Sequence, residues 1–197
     1  SVYTYSFEKA VTIREKLHVE QNLVIGHVGR FDAQKNHTFL LDIFSECVNI
    51  VPNARLLLVG DGEGRTQIQE KAKSLGLEEK VIFTGVRNDV ADLLQAMDVF
   101  VFPSLYEGVP VTMIEAQASG LPCVISDGVP KDCVITSGLV TSMKLSDRPC
   151  DWAKHIAAQL NRKRENHLEE IQAAGYDIVT AAKELENFYL KKYGEES

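Results

Sequence analysis

Arg55-Leu-Leu-Leu-Val-Gly-Asp-Gly-Glu-Gly64 is a short apolar run that stops dead at a glycine turn. Such a run has the length of a strand buried on both faces, and the residues after it, 63–75, read as a helix closed by Gly76. The same grammar recurs in both directions. Upstream, Leu23–Val28 is apolar and ends at Gly29, and 37–50 follows with apolar residues at 39, 40, 43, 44, 47 and 48. Downstream, Val81–Thr84 stops at Gly85 before a short helix over 89–97. Asp98–Phe102 is stopped by Pro103, and 111–119 is a helix capped by Gly120 before a strand over Leu121–Ser126. Five strands alternating with helices predict an α/β fold, a doubly wound, Rossmann-like parallel sheet with helices on both faces.

Around this unit lie two other segments. Residues 1–20 read as a linker with a polar amphipathic helix over Phe7–Leu17, and 21–150 form the sheet domain. Residues 151–197 read as terminal helices, over about 151–164, 167–174 and 176–192. Within them Arg162-Lys-Arg164 reads first as a solvated helix face. Three basic residues are fewer than stable membrane anchoring takes, so peripheral membrane contact is the lesser alternative.

The 197 residues hold 21 basic and 28 acidic side chains, a net charge of −7. That acidic balance argues against nucleic acid as a partner. No stretch reaches the ~18–20 apolar residues of a membrane span. The four cysteines (47, 123, 133, 150) show no C-x-x-C spacing, so buried reduced thiols and a reducing compartment, most simply the cytoplasm, are expected. The histidines show no metal-ligand spacing. The chain begins with Ser1 and no signal peptide follows, so it is expected to be a processed or cut chain.

Ligands of such sheets bind outside the carboxyl ends of the strands, which directs attention to the strand-to-helix loops. Loop one, 29–36, places Arg30 and Lys35 between a strand end and a helix start, an arrangement suited to an anion. Loop two, 60–64, is glycine-rich, but Arg65 stands where a dinucleotide fingerprint needs its third glycine. A tight turn that lets a ligand approach the backbone is the better reading. Loop four carries Glu107 beside Gly108, with Glu115 in the following helix. It brings carboxylates, which accept hydrogen bonds from sugar hydroxyls, close to exposed helix amides, which hold phosphate.

Taken in order, these elements resemble the group 1 (family 4) retaining glycosyltransferases of GT-B fold. Gly29-Arg30 with Lys35-Asn36 is similar to the family's G-R-x-x-x-x-K-[NG] element, and Val59-Gly-Asp-Gly62 to its V-G-x-G turn. Glu107–Glu115 is similar to its E-x7-E motif, and residues 115–122 are also in pattern, while 109–111 depart from the commoner E-G-F/L-G. The likeness is close over about 20–130 and implies the C-terminal, donor-binding half of a two-domain enzyme. It implies that Arg30 and Lys35 neutralise the diphosphate of a nucleotide-sugar and that Glu107 holds hydroxyls of the transferred sugar. Glu115 would accept from the ribose, and Gly108, Val109, Pro110 and Val111 would hold phosphate or sugar. The turns at Gly29, Gly60 and Gly62 belong to the donor site, and the base lies against Gly85, Val86 and Arg87.

The same resemblance implies that no metal or other cofactor is needed, because Arg and Lys carry the charge work. UDP-sugar is the favoured donor. The acceptor, a saccharide or lipid-linked glycan in polysaccharide or glycolipid synthesis, would sit on an N-terminal domain absent from the chain, in the cytoplasm or at the inner face of the membrane. The isolated chain is expected to bind nucleotide weakly and to transfer little. Its last helix is expected to pack toward the absent domain and so to expose apolar surface here. A nucleotide-sugar epimerase of the same fold and a non-catalytic doubly wound interaction module are the alternatives. A glycoside hydrolase fits less well, because it gives Arg30 and Lys35 no purpose.

Overall fold

A computed structural model of the chain describes residues 3–136, 138–160 and 162–194. Six strands form one sheet: β1 (Leu23–Val28), β2 (Ala54–Val59), β3 (Val81–Phe83), β4 (Val99–Phe102), β5 (Cys123–Ser126) and β6 (Val140–Met143). Their spatial order is β3-β2-β1-β4-β5-β6, and every neighbouring pair is parallel. The chain winds outward from β1 to β3, then returns to lay β4 against the other side of β1. That reversal opens a crevice at the carboxyl ends of β1 and β4, where such sheets hold ligands.

The helices are α1 (Phe7–Leu17), α2 (His37–Ile50), α3 (Arg65–Ser74), α4 (Val90–Ala96), α5 (Val111–Ala118), α6 (Pro149–Gln159), α7 (Leu168–Ala173) and α8 (Ile178–Gly194). Side chains of β2 alternate between two cores, as the period-2 pleat requires. Leu56 and Leu58 join Leu40, Phe44 and Trp152 of α2 and α6. Leu57 and Val59 join Ile13, Leu93 and Met113 of α1, α4 and α5. Among the described residues, no helix is long and apolar enough to cross a membrane.

Three expectations are corrected. The sheet has six strands, not five. The extra one, β6, is a half-polar edge strand that lacks the apolar signature of a central strand. The boundary drawn at 150/151 falls inside α6, which starts at Pro149 and belongs to the sheet domain. Trp152 is fully buried against α2, edge-on to Phe39 at 5.7 Å, and its indole N–H donates to Lys144 O at 3.2 Å. Finally, α6 ends at Gln159, so Arg162-Lys-Arg164 lies outside any helix and is no three-cation face. Arg162 donates to Gly138 O. Arg164 turns inward to cap the end of α4, donating to Leu94 O at 2.9 Å and to Met97 O. Burial lowers its pKa to about 10, which leaves it fully charged near neutrality.

At the far end, α8 carries Ile178, Leu185, Phe188 and Leu190 into solvent, the exposed apolar surface expected of the last helix.

Candidate functional site

Loop one is held in place by contacts with the loop after β4. The Leu105 amide donates to Gln34 O at 2.8 Å, and Asn36, in the left-handed region at φ 55°, donates through Nδ2 to Pro103 O at 3.1 Å. Asp32 Oδ1 accepts from the Lys35 amide at 3.1 Å. This lays Lys35 across the crevice, where Nζ reaches Glu107 Oε1 at 2.6 Å and lies 4.8 Å from the centre of the Phe102 ring. Gln34 Nε2 donates to the other carboxylate oxygen, Oε2, at 3.2 Å. The Glu107 amide donates to Gly128 O at 3.1 Å, so three loops meet at this residue. The Glu107 side chain is only 5% exposed and that of Lys35 17%.

Beside this pair, α5 starts at Val111 with no side-chain cap, and Gly108, Val109 and Val111 are exposed around the buried Pro110. The free amides of an uncapped helix start attract anions. An ammonium, a carboxylate and a helix N-terminus at one switch point can hold a negatively charged, hydroxyl-bearing ligand.

The other expected residues are more scattered. Arg30 is exposed and makes no ion pair among the described residues. It lines a cleft of about 660 Å³ with Asp32, Thr38, Glu63 and Gln67, between loop one and α3. Glu115 instead lines a mostly apolar groove of about 550 Å³ between α5 and α7, where its Oε1 accepts from the Tyr3 hydroxyl. Gly85, two residues past β3, has φ 72°, Val86 is 79% exposed, and Arg87 is forked onto Asp89 at 2.7 and 2.6 Å.

For the glycines of loop two, the structure supplies a different reason from the expected ligand approach. A Cβ on Gly60 would lie 2.1 Å from Gly29 O, and one on Gly62 would lie 2.7 Å from Phe31 O. Loop two is glycine-rich because it is pressed against loop one. The Phe31 amide donates to Asp61 O at 3.0 Å and the Gly64 amide to Phe31 O at 2.9 Å.

Gln34, Tyr3 and two histidines escaped the sequence reading. His27 and His37 are buried under loop one with ring centres 4.7 Å apart, and His37 stacks on Phe31 at 4.2 Å. Burial drives the His27 pKa well below its ordinary value. Burial and then the Lys35 charge lower His37 to about 4. Both rings are therefore neutral at pH 7, flat spacers under the loop that carries Lys35. An unfolded histidine titrates near 6.5, so the unfolded chain takes up more protons as pH falls. Stability from His37 is complete above that value and is lost as pH falls toward about 4, by about 2 kcal/mol at pH 5. Thermal melts between pH 7.5 and 4.5 should show this slope, and His37→Phe should reduce it, leaving the part that the buried His27 contributes. An equal slope in the variant would refute the assignment.

Residues 22–162 match the family model described as "Glycosyl transferases group 1". The Bacillus subtilis (strain 168) protein EpsF is 42% identical over 170 residues, which is 85% of this chain and 44% of that one. An Escherichia coli enzyme, UDP-Gal:alpha-D-GlcNAc-diphosphoundecaprenol alpha-1,3-galactosyltransferase, is 34% identical over 117 residues, 58% of this chain and 30% of its own length. Among solved structures, Anabaena Alr3699/HepE in complex with UDP superimposes with a TM-score of 0.82 at 24% identity, over 96% of this chain and 54% of that one. This chain thus spans less than half of those two relatives and about half of the Anabaena protein. The sheet is the Rossmann-like sheet of GT-B glycosyltransferases. With the family's pattern running through most of the sheet domain and EpsF sharing two residues in five, this chain belongs to the group 1 glycosyltransferases.

Proposed function

We propose that this chain is the donor-binding half of a retaining glycosyltransferase that moves a sugar from a nucleotide-diphospho-sugar to a saccharide or lipid-linked acceptor. The observation that carries this reading is the Lys35–Glu107 pair at the β1/β4 switch point, beside the uncapped start of α5. An ammonium has three donor positions and Glu107 uses one of them, so two remain for the oxygens of a diphosphate. Negative charge grows on that diphosphate as the glycosidic bond breaks, so a fixed cation there stabilises the transition state more than the ground state. Arg30 supplies the second cation from the other side of loop one, in place of a metal.

Glu107 takes the sugar hydroxyls, and its carboxylate is oriented for this by Lys35 and Gln34. Attack proceeds from the same face through an oxocarbenium-like state, so Glu107 is not a covalent nucleophile. The base rests on the exposed Val86, and Glu115 accepts from the ribose. UDP is favoured because the Anabaena structure holds UDP and the E. coli relative is named for UDP-Gal. The acceptor half is contributed by chain beyond these residues, which also receives α8. Polysaccharide or glycolipid assembly, in the cytoplasm or at the inner membrane face, fits these relatives and the four free cysteines.

Titration of the chain with UDP, GDP, ADP and UDP-sugars tests the reading. One nucleotide should bind at millimolar Kd or tighter, and Arg30→Ala and Glu115→Ala should each weaken it at least about tenfold. Robust transfer by this chain alone, or binding indifferent to both substitutions, would sink it.

A further inference from the structure

The Tyr3 hydroxyl donates to Glu115 Oε1 across 112 residues of sequence, and nothing in the E-x7-E pattern accounts for it. The tyrosine is firmly placed. Its ring packs on the small cluster of Ile114, Ala118 and Ile171. The segment behind it is tied down as well: the Ser6 amide donates to Gln95 Oε1 at 2.9 Å, and the Tyr5 ring lies 4.6 Å from the Arg164 guanidinium. Burial, and then the bond to Glu115, push the Tyr3 phenol up to about 12, so it remains a proton donor at every physiological pH. Glu115 Oε2 has no partner among the described residues.

We infer that Tyr3 is a positioning residue for the nucleotide's ribose: it fixes the Glu115 carboxylate through Oε1 and leaves Oε2 to accept from the ribose hydroxyls. This rests on the reading of Glu115 as the ribose acceptor. A glutamate side chain loses several rotamers when it captures a diol, and that ordering weakens binding unless it is already done in the free protein. Tyr3 does it in advance. Because the bond acts only through Glu115, its effect is confined to ligands that carry ribose hydroxyls.

The test is calorimetric titration of the chain and of Tyr3→Phe and Glu115→Gln with UDP and with 2′,3′-dideoxyUDP. Tyr3→Phe keeps the ring on Ile114, Ala118 and Ile171 and removes only the hydroxyl. It should weaken UDP about tenfold and the dideoxy compound less than about twofold. Glu115→Gln should show the same selectivity with a loss at least as large. Equal weakening of both ligands by Tyr3→Phe would make the residue structural and overturn the inference, as would no weakening at all. If Glu115→Gln fails to discriminate the two ligands, or the unaltered chain binds no UDP, the underlying reading of Glu115 falls and the inference with it.

Discussion

Lys35→Met in the full-length enzyme is expected to lower the transfer rate by about a thousandfold, with a smaller rise in the KM for donor. In the proposed function the ammonium faces the leaving diphosphate, and removing one such fixed donor costs about 3–4 kcal/mol of transition-state stabilisation. A second consequence is independent of catalysis. Glu107 is 5% exposed, and Lys35 is its ion-pair partner among the described residues. Without Lys35 the carboxylate keeps only the Gln34 amide among the described residues, and an uncompensated buried charge costs about 3 kcal/mol or more. The two effects separate in a double variant. Lys35→Met with Glu107→Gln removes both charges, so thermal stability should recover most of the loss while transfer stays low. Activity within tenfold of the wild type in the single variant, counted per folded molecule, would show that Lys35 serves the fold and not the reaction.

The difference between those two roles was hidden in the sequence. Lys35 and Glu107 are 72 residues apart, and nothing local states that one neutralises the other. Legible were the elements with a strong local signal. β1 and α2 fall on the expected residues because an apolar run ends at Gly29 and a 3.6-residue pattern starts at His37. What escaped depends on distant partners. β6, Val140-Thr-Ser-Met143, lies at the sheet edge with Thr141 half-buried and Ser142 exposed, so it lacks the continuous apolar run of a central strand. Arg164 looks like any surface arginine until the carbonyls of Leu94 and Met97, some 70 residues away, are found beneath it. Tyr3 and Gln34 belong to no spaced pattern, since their partners are glutamates that the chain reaches much later. The motif residues were visible because they lie in the loops at strand ends or in the helix that follows one. Their supporting contacts were not, because tertiary structure alone brings them together.

Gly60→Ala should cost about 4 kcal/mol or more and leave little folded protein at 37 °C. Two penalties add at this position. Gly60 has φ 136°, a region that L side chains avoid at a cost of about 1–3 kcal/mol. Its new methyl would also meet Gly29 O at 2.1 Å, and that carbonyl cannot easily retreat. The Gly29 amide is bonded to Val59 O at 2.9 Å and the Phe31 amide to Asp61 O at 3.0 Å, so the two loops are clamped on both sides of the clash. Two controls divide the penalty. At Gly76, φ is 69° but nothing lies within 4 Å of a Cβ, so Gly76→Ala should show the backbone term alone, about 1 kcal/mol. Gly108 has neither a positive φ nor a neighbour within 4 Å, and Gly108→Ala should stay within about 0.5 kcal/mol. Urea denaturation of the three variants ranks them directly. If Gly60→Ala proves no worse than Gly76→Ala, the close seat of loop two on loop one is wrong, and its glycines revert to the role of admitting a ligand to the backbone. If the expected order holds, loop two acts on the site from behind, by supporting the loop that carries Arg30 and Lys35.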